Sequence, residues 1–265
     1  MRRLVTTLMV SALLVGVSQK AAAQTPAPAP PPAPAPSSGW EDRAYINVGF
    51  GVESGNSDFT DTKTFSLYEE TGTITSTSSF SSGSLFDVAV GVRVWKNFSV
   101  GAAYHQEMNT ADGTLSGTVP HPIFFNQPRS FTSTVSGLER KENAEHLVLG
   151  WTVPIGTKMD VMVFAGPSFF RIQQDVVADA KVAEAGAPYT QVVVQPTIET
   201  RKKSVTGYNV GADVSYLVWQ NDSIRLGGGV FIRYTEAKTT LLMLTTEQPT
   251  TIGGLQFGFG GRIRF

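Results

Sequence analysis

The sequence predicts an all-β fold, an eight-stranded antiparallel up-and-down transmembrane β-barrel over residues 43–265. Three observations predict it. Apolar residues alternate with small or charged ones in eight separate segments, as they do on a ribbon whose successive side chains point to opposite faces. The connections between those segments run long, short, long, short, long, short, long. Beyond the first residues, no stretch approaches the roughly 20 consecutive apolar residues of a spanning helix, so a chain of this kind can cross a bilayer only as closed strands. Mean hydropathy near zero agrees, because inward and outward residues average out.

The 265 residues carry a formal charge of −1 and no cysteine. Disulfides, thiolate metal sites, a cysteine nucleophile and a lipid-modified cysteine are therefore excluded. Residues 1–23 read as a signal peptide: Arg2 and Arg3, an apolar run from Leu4 to Val17, then Ala21, Ala22 and Ala23 before the cut. Residues 24–42 are rich in Pro and Ala and predict an extended, disordered periplasmic arm.

The first strand, about 43–53, sends Ala44, Ile46, Val48, Phe50 and Val52 outward. A Ser/Thr-rich stretch to about 83 reads as a loop. Strand two, about 84–95, puts Phe86, Val88, Val90, Val92 and Val94 out, and a tight hairpin at Lys96-Asn97 leads to strand three with Phe98, Val100, Ala102 and Tyr104 out. After a loop at about 109–141, strand four (about 142–153) exposes Leu147, Leu149, Trp151 and Val153. Strand five, about 159–172, has two competing faces, which a bulge near Gly166-Pro167 would reconcile. A third loop reaches about 203. Strand six shows Tyr208, Val210, Val214 and Tyr216; strand seven, after a turn at Gln220-Asn221, shows Leu226, Val230, Ile232 and Tyr234. A fourth loop, about 237–253, precedes the last strand. Outward rings divide between the short-turn end (Trp151, Trp219) and the long-loop end (Tyr104, Tyr234), as interfacial girdles do. A soluble lipocalin-type barrel, with the apolar set turned inward, is the alternative architecture.

The last strand carries a family resemblance. In Leu255-Gln-Phe-Gly-Phe-Gly-Gly-Arg-Ile-Arg-Phe265, the apolar residues Phe257, Phe259, Ile263 and Phe265 share one parity. This resembles the closing strand of small bacterial outer-membrane β-barrels of the OmpA/OmpX type. The resemblance implies that these four residues form the assembly signal read by the barrel-assembly machinery. It also implies a Gram-negative cell outer membrane, contact with lipid and lipopolysaccharide, and a monomer. The long connections become surface-exposed loops, and loops 1–3 the place for an extracellular ligand.

The opposite parity supplies a lumen charge network: Asp87, Arg93, Asp213, Arg225, Arg233, Arg262 and Arg264. Gly49, Gly51, Gly227, Gly229, Gly258 and Gly260 make room for the arginines. Buried charge has to be paired or hydrated, and Asp87 and Asp213 are the inward aspartates that the pattern assigns; the expected partner of Arg233 is Asp213. Glu53 and Glu107 fall nearer the rim. His105 and His146 point inward on adjacent strands with Glu107 close by, a group able to hold a metal or act as acid and base. His121, between prolines, is expected to stiffen loop 2. Glu139-Arg140-Lys141-Glu142 reads as a solvated loop base near lipid headgroups. No serine stands in an activating G-x-S-x-G context, and neither a phosphate loop nor a basic nucleic-acid patch is present. The expectation is therefore a non-catalytic protein without cofactor or bound metal, structural or acting through surface contact. A small-solute channel is the second reading and a barrel enzyme the third.

Overall fold

The structure, a computed structural model, describes residues 42–221 and 223–265. The signal peptide at 1–23 and the arm at 24–42, Asp42 apart, lie outside the described residues. Eleven antiparallel strands make up one sheet: β1 Ala44–Ser54, β2 Ser57–Leu67, β3 Glu70–Phe80, β4 Gly83–Trp95, β5 Phe98–Val119 and β6 Arg129–Ile155, then β7 Met159–Glu184, β8 Val192–Gln220, β9 Arg225–Leu242, β10 Glu247–Ile252 and β11 Leu255–Arg264.

Two expectations need correction. Among the described residues the strand count is eleven, because β2, β3 and β10 form in stretches read as loops. The strands also run far past the expected ends: β6, β7 and β8 have 27, 26 and 29 residues, against the roughly 9–11 that cross a bilayer. The reason lies in the Thr-rich composition, counted above as loop-like. Thr60, Thr62 and Thr64 pair with Thr77, Thr75 and Thr73 across the β2–β3 ladder, and β-branched threonine suits a pleated strand.

The pairings of β1, β4, β5, β6, β7, β8, β9 and β11 run in that order and return to β1. Along β5 the partner on one side changes: β4 up to Met108, then β3 from Gly113. Likewise β9 pairs β11 up to Tyr234 and β10 from Ala237. The molecule thus has two storeys, and β2 and β10 are the strands where the upper one parts. Asp61 of β2 joins them at the top, accepting the backbone N–H groups of Thr245 (2.7 Å) and Thr246 (3.0 Å).

In the lower storey the expected outward residues are exposed: Phe50, Val90, Leu149, Val230 and Phe259 range from 45% to 66%. Rings collect at both ends. Trp95, Phe98 and Trp151 stack at 5.9 and 6.2 Å near the short turns, a β-bulge between Arg93 and Trp95 bringing the first of them out. Tyr208 and Tyr234 donate to Glu236 at the other end.

Strand β7 resolves its two competing faces without a bulge at Gly166-Pro167. Its register with β8 is unbroken from Met159 to Val177 and shifts only between Val177 and Asp179. Even-numbered residues face inward up to Val176, so Asp160, Met162, Phe164, Ser168 and Phe170 are buried.

The upper storey is built the other way round. Phe59, Ile74, Leu115, Leu138, Ile172 and Leu241 form its interior, with Phe80, Phe170 and Ile252 beneath them. Ion pairs on the inward parity of these strands tie the hairpins together: Lys63 to Asp179 at 2.7 Å, and the buried Arg129 to both oxygens of Glu184 at 2.5 and 2.7 Å.

Candidate functional site

Three guanidinium–carboxylate pairs fill the lower interior. Arg262 donates from Nε (3.1 Å) and Nη2 (2.6 Å) to the two oxygens of Asp213. Arg233 Nη1 donates to Asp87 at 2.6 Å. Arg264 Nη1 donates to Asn47 (2.6 Å), while Nη2 reaches Ser215 (2.6 Å) and Asp160 (3.5 Å). Arg233 therefore belongs to Asp87, and not to Asp213 as the strand order suggested. The third acid, Asp160, was invisible to sequence reasoning because the faces of its strand were undecided.

Aromatic rings complete this layer. The Arg233 guanidinium lies 5.3 Å from the Phe231 ring and 5.6 Å from Phe164, and that of Arg264 5.5 Å from Tyr45. Glycines make the room, though only partly for arginines. A Cβ at Gly229 would stand 2.8 Å from Arg262 Nε, but one at Gly258 would meet the ring of Phe231 at 2.3 Å, and one at Gly91 the ring of Tyr45 at 2.5 Å. What remains is a void of about 20 Å³, room for about one water. Arg225 sits apart at the short-turn end and pairs with Asp42, Nε to Oδ1 2.8 Å. Arg93, half-buried, lies at the same end. The four residues read as an assembly signal are divided by exposure alone: Phe257, Phe259 and Phe265 are exposed and Ile263 intermediate.

Above this layer the histidine pair comes together. His105 Nδ1 and His146 Nε2 are 2.7 Å apart, and His146 Nδ1 is 2.7 Å from Ser168 Oγ. Ser168 also accepts from Asn209 Nδ2 at 3.0 Å. The other edge of His105 faces carboxylates: Nε2 stands 3.8 Å from Glu53 Oε2 and 3.8 Å from Glu142 Oε1. Glu107, the acid expected beside the histidines, is buried nearby and lines the same cavity as Glu53. Gln256 links the layers, donating to Glu53 (2.6 Å) and accepting from Arg233 (3.3 Å).

Glu142 and Arg140 are the residues that pattern reading placed wrongly. They are 1% and 7% exposed, not a solvated loop base. The cause is the length of β6: its alternation continues unbroken through Arg140, Glu142, Ala144 and His146, all inward. Counting parity back from His146 would have found them.

The serine–histidine contact has the reach of a nucleophile and its base. Ser168 is fully buried, however, and lines neither the void nor the cavity near Glu53.

Comparison with known proteins leaves the chain without a family assignment: no family model and no curated protein matches it. Among solved structures it is similar to Neisserial surface protein A (12% identity, TM-score 0.39, 83% of this chain and 95% of that one). It is similar also to the outer-membrane protein OprG of Pseudomonas aeruginosa (9%, TM-score 0.40, 84% and 96%). A third likeness is to the β domain of the Bordetella autotransporter BrkA (9%, TM-score 0.26, 85% and 100%). These structural neighbours are outer-membrane β-barrel proteins. Overlaps at this level leave the reading of the chain to its own residues.

Proposed function

We propose that this chain is an integral outer-membrane protein, an eight-stranded transmembrane barrel with a filled lumen that makes contacts at the cell surface through its hairpin tips. The apolar outer band with rings at both ends supports residence in lipid, and the paired charges inside support a plug over a pore. Lipid and lipopolysaccharide are the neighbours expected around that band. The buried setting of Ser168 favours a non-catalytic protein.

One observation carries the surface role. At the tip between β5 and β6, Ile123, Phe124 and Phe125 are 64%, 52% and 70% exposed. The tip is held in that shape: His121 Nδ1 accepts the N–H groups of Ile123 (3.1 Å) and Phe124 (3.2 Å), and Asn126 N–H donates to Glu70 at 2.5 Å. An ordered turn that presents three apolar side chains to water is suited to an apolar partner surface. Burying even one such side chain contributes roughly 1.5–3 kcal/mol.

Cells displaying the protein should bind octyl-coated beads, and replacing Ile123, Phe124 and Phe125 by serine should lower capture by about tenfold or more. Capture that is unchanged by the triple replacement would sink the surface reading. Purified protein in planar bilayers tests the plug separately, since discrete conductance steps would favour a channel.

A further inference from the structure

The two charged layers of the interior differ in balance. Below, three arginines meet three aspartates. On the shelf above, Glu53, Glu107 and Glu142 are all buried, and the guanidinium among them is Arg140, whose Nη2 is 3.6 Å from Glu142 Oε2. Glu142 Oε1 has no hydrogen-bond partner, although its residue is 1% exposed. A buried carboxylate oxygen without a partner is costly, and this one points at His105 Nε2.

The spacing says what is missing. At 3.8 Å, Nε2 is too far from either carboxylate for a hydrogen bond. Yet Glu53, His105 and Glu142 bring their three ligand atoms within 4.8 Å of one another. One cation with bonds of roughly 2.0–2.2 Å reaches all three after small side-chain adjustments. The far side of His105 is already arranged for it. When His105 Nδ1–H donates to His146 Nε2 and His146 Nδ1–H donates to Ser168, His105 Nε2 keeps its lone pair on the shelf side, where its one neighbouring donor is the Gln256 amide at 3.5 Å, already given to Glu53 at 2.6 Å. A divalent ion beside Arg140 would also neutralise the three carboxylates. One of the three, Glu53, borders a cavity of about 190 Å³, which is lined also by Glu107 and Arg140 and by Gly55, Ser57 and Thr251 at the feet of β2 and β10.

We propose that Glu53 Oε2, His105 Nε2 and Glu142 Oε1 bind one divalent transition-metal cation, with water completing its shell. One imidazole with two carboxylates is a donor set suited to Zn²⁺ and its neighbours. The proposal is independent of the surface-contact reading, since the site lies inside the wall and away from the hairpin tips.

The test uses the full chain folded in detergent, stripped with a chelator, and titrated with Zn²⁺ by calorimetry and with Co²⁺ by visible absorption. The wild type should take up one equivalent. His105→Gln and Glu142→Gln should each weaken binding by more than about a hundredfold, and His146→Gln, which only orients the ligand, by about 10–100-fold. His121→Gln, at the exterior tip, should leave affinity unchanged. Heat-modifiability of each variant shows that the folded form is being measured. Absence of saturable uptake by the folded wild type would overturn the proposal, as would uptake unaltered in folded His105→Gln. Should both ligand variants fail to fold, X-ray absorption on the zinc-loaded wild type decides: one imidazole nitrogen with carboxylate oxygens supports the site, and a shell without nitrogen refutes it.

Discussion

The lower and upper storeys share strands but reverse their chemistry. In the lower one, arginines and aspartates lie inside and valines and phenylalanines outside. In the upper one, Leu115, Ile74 and Leu241 lie inside, and threonines such as Thr60, Thr62 and Thr64 lie outside. A single strand crosses both regimes: β6 carries Arg140, Glu142 and His146 inward below, and Leu138 and Val135 inward above. The solvent explains the reversal. In the proposed membrane setting, lipid outside the lower storey supplies no gain for burying apolar side chains, so cohesion there comes from paired charges and close packing. Water around the upper storey restores the hydrophobic effect.

The largest expected effect breaks the lower network. Asp213→Ala leaves Arg262 buried and unpaired, which costs about 3–5 kcal/mol in such settings. Urea unfolding in detergent should show it, and a cycle with Arg262→Met should give strong coupling while one with Arg233→Met gives little. Equal coupling to both arginines would mean that the interior charges are pooled by water, and the contrast between the storeys would shrink.

Leu115→Ala tests the other regime. Leu115 is fully buried, so a cavity in the upper core should cost about 2–5 kcal/mol. The loss should appear as faster hydrogen exchange in β2, β3 and the distal half of β5, with the lower strands unaffected. Uniform acceleration would show that the storeys open as one unit.

The outer faces give a third comparison. Val90→Arg on the proposed lipid face should cost roughly 2–4 kcal/mol, whereas Thr64→Arg on the upper exterior should stay within about 0.5 kcal/mol. Equal costs would put the membrane boundary in the wrong place.

The smallest effect is acid loosening of the hairpin contacts. Hydrogen bonding from Lys63 holds the Asp179 carboxyl below its ordinary value, and Arg129 does the same for Glu184. For Asp61, burial pushes upward, but hydrogen bonds from Thr245 and Thr246 outweigh it and the net shift is downward. Depressed folded values mean that these contacts stabilise fully above the ordinary carboxylate range of about 3.9–4.3. The contribution is lost as the pH falls below that range through the folded values. The partly exposed Lys63–Asp179 pair contributes little, about 0–1 kcal/mol. Limited proteolysis should therefore show nicking at the tips of the β2–β3 and β7–β8 hairpins at pH 3 and not at pH 6. Identical nicking at both would mean that apolar packing alone holds the upper storey.

Much of this was legible in the residues themselves. Alternation in eight segments, the three short turns and the inward placement of Asp87, Asp213, Arg233, Arg262 and Arg264 all follow from a period of two, which is a local property. The approach of His105 to His146 followed from the same counting on neighbouring strands. Partner choice was different. Arg233 prefers Asp87 across the interior to Asp213 beside it, and a distance across a closed circuit of strands depends on stagger that no single strand encodes. The face of β7 was likewise undecided until β8 paired with it, which kept Asp160 and Ser168 from view. The upper storey was hidden for a further reason: threonine and serine serve both exposed strands and loops, and only the apolar residues that meet inside, Phe59 with Leu115 and Leu241, decide between them. The shelf of Glu53, His105 and Glu142 needs β1, β5 and β6 at one height, so it exists only in the tertiary structure.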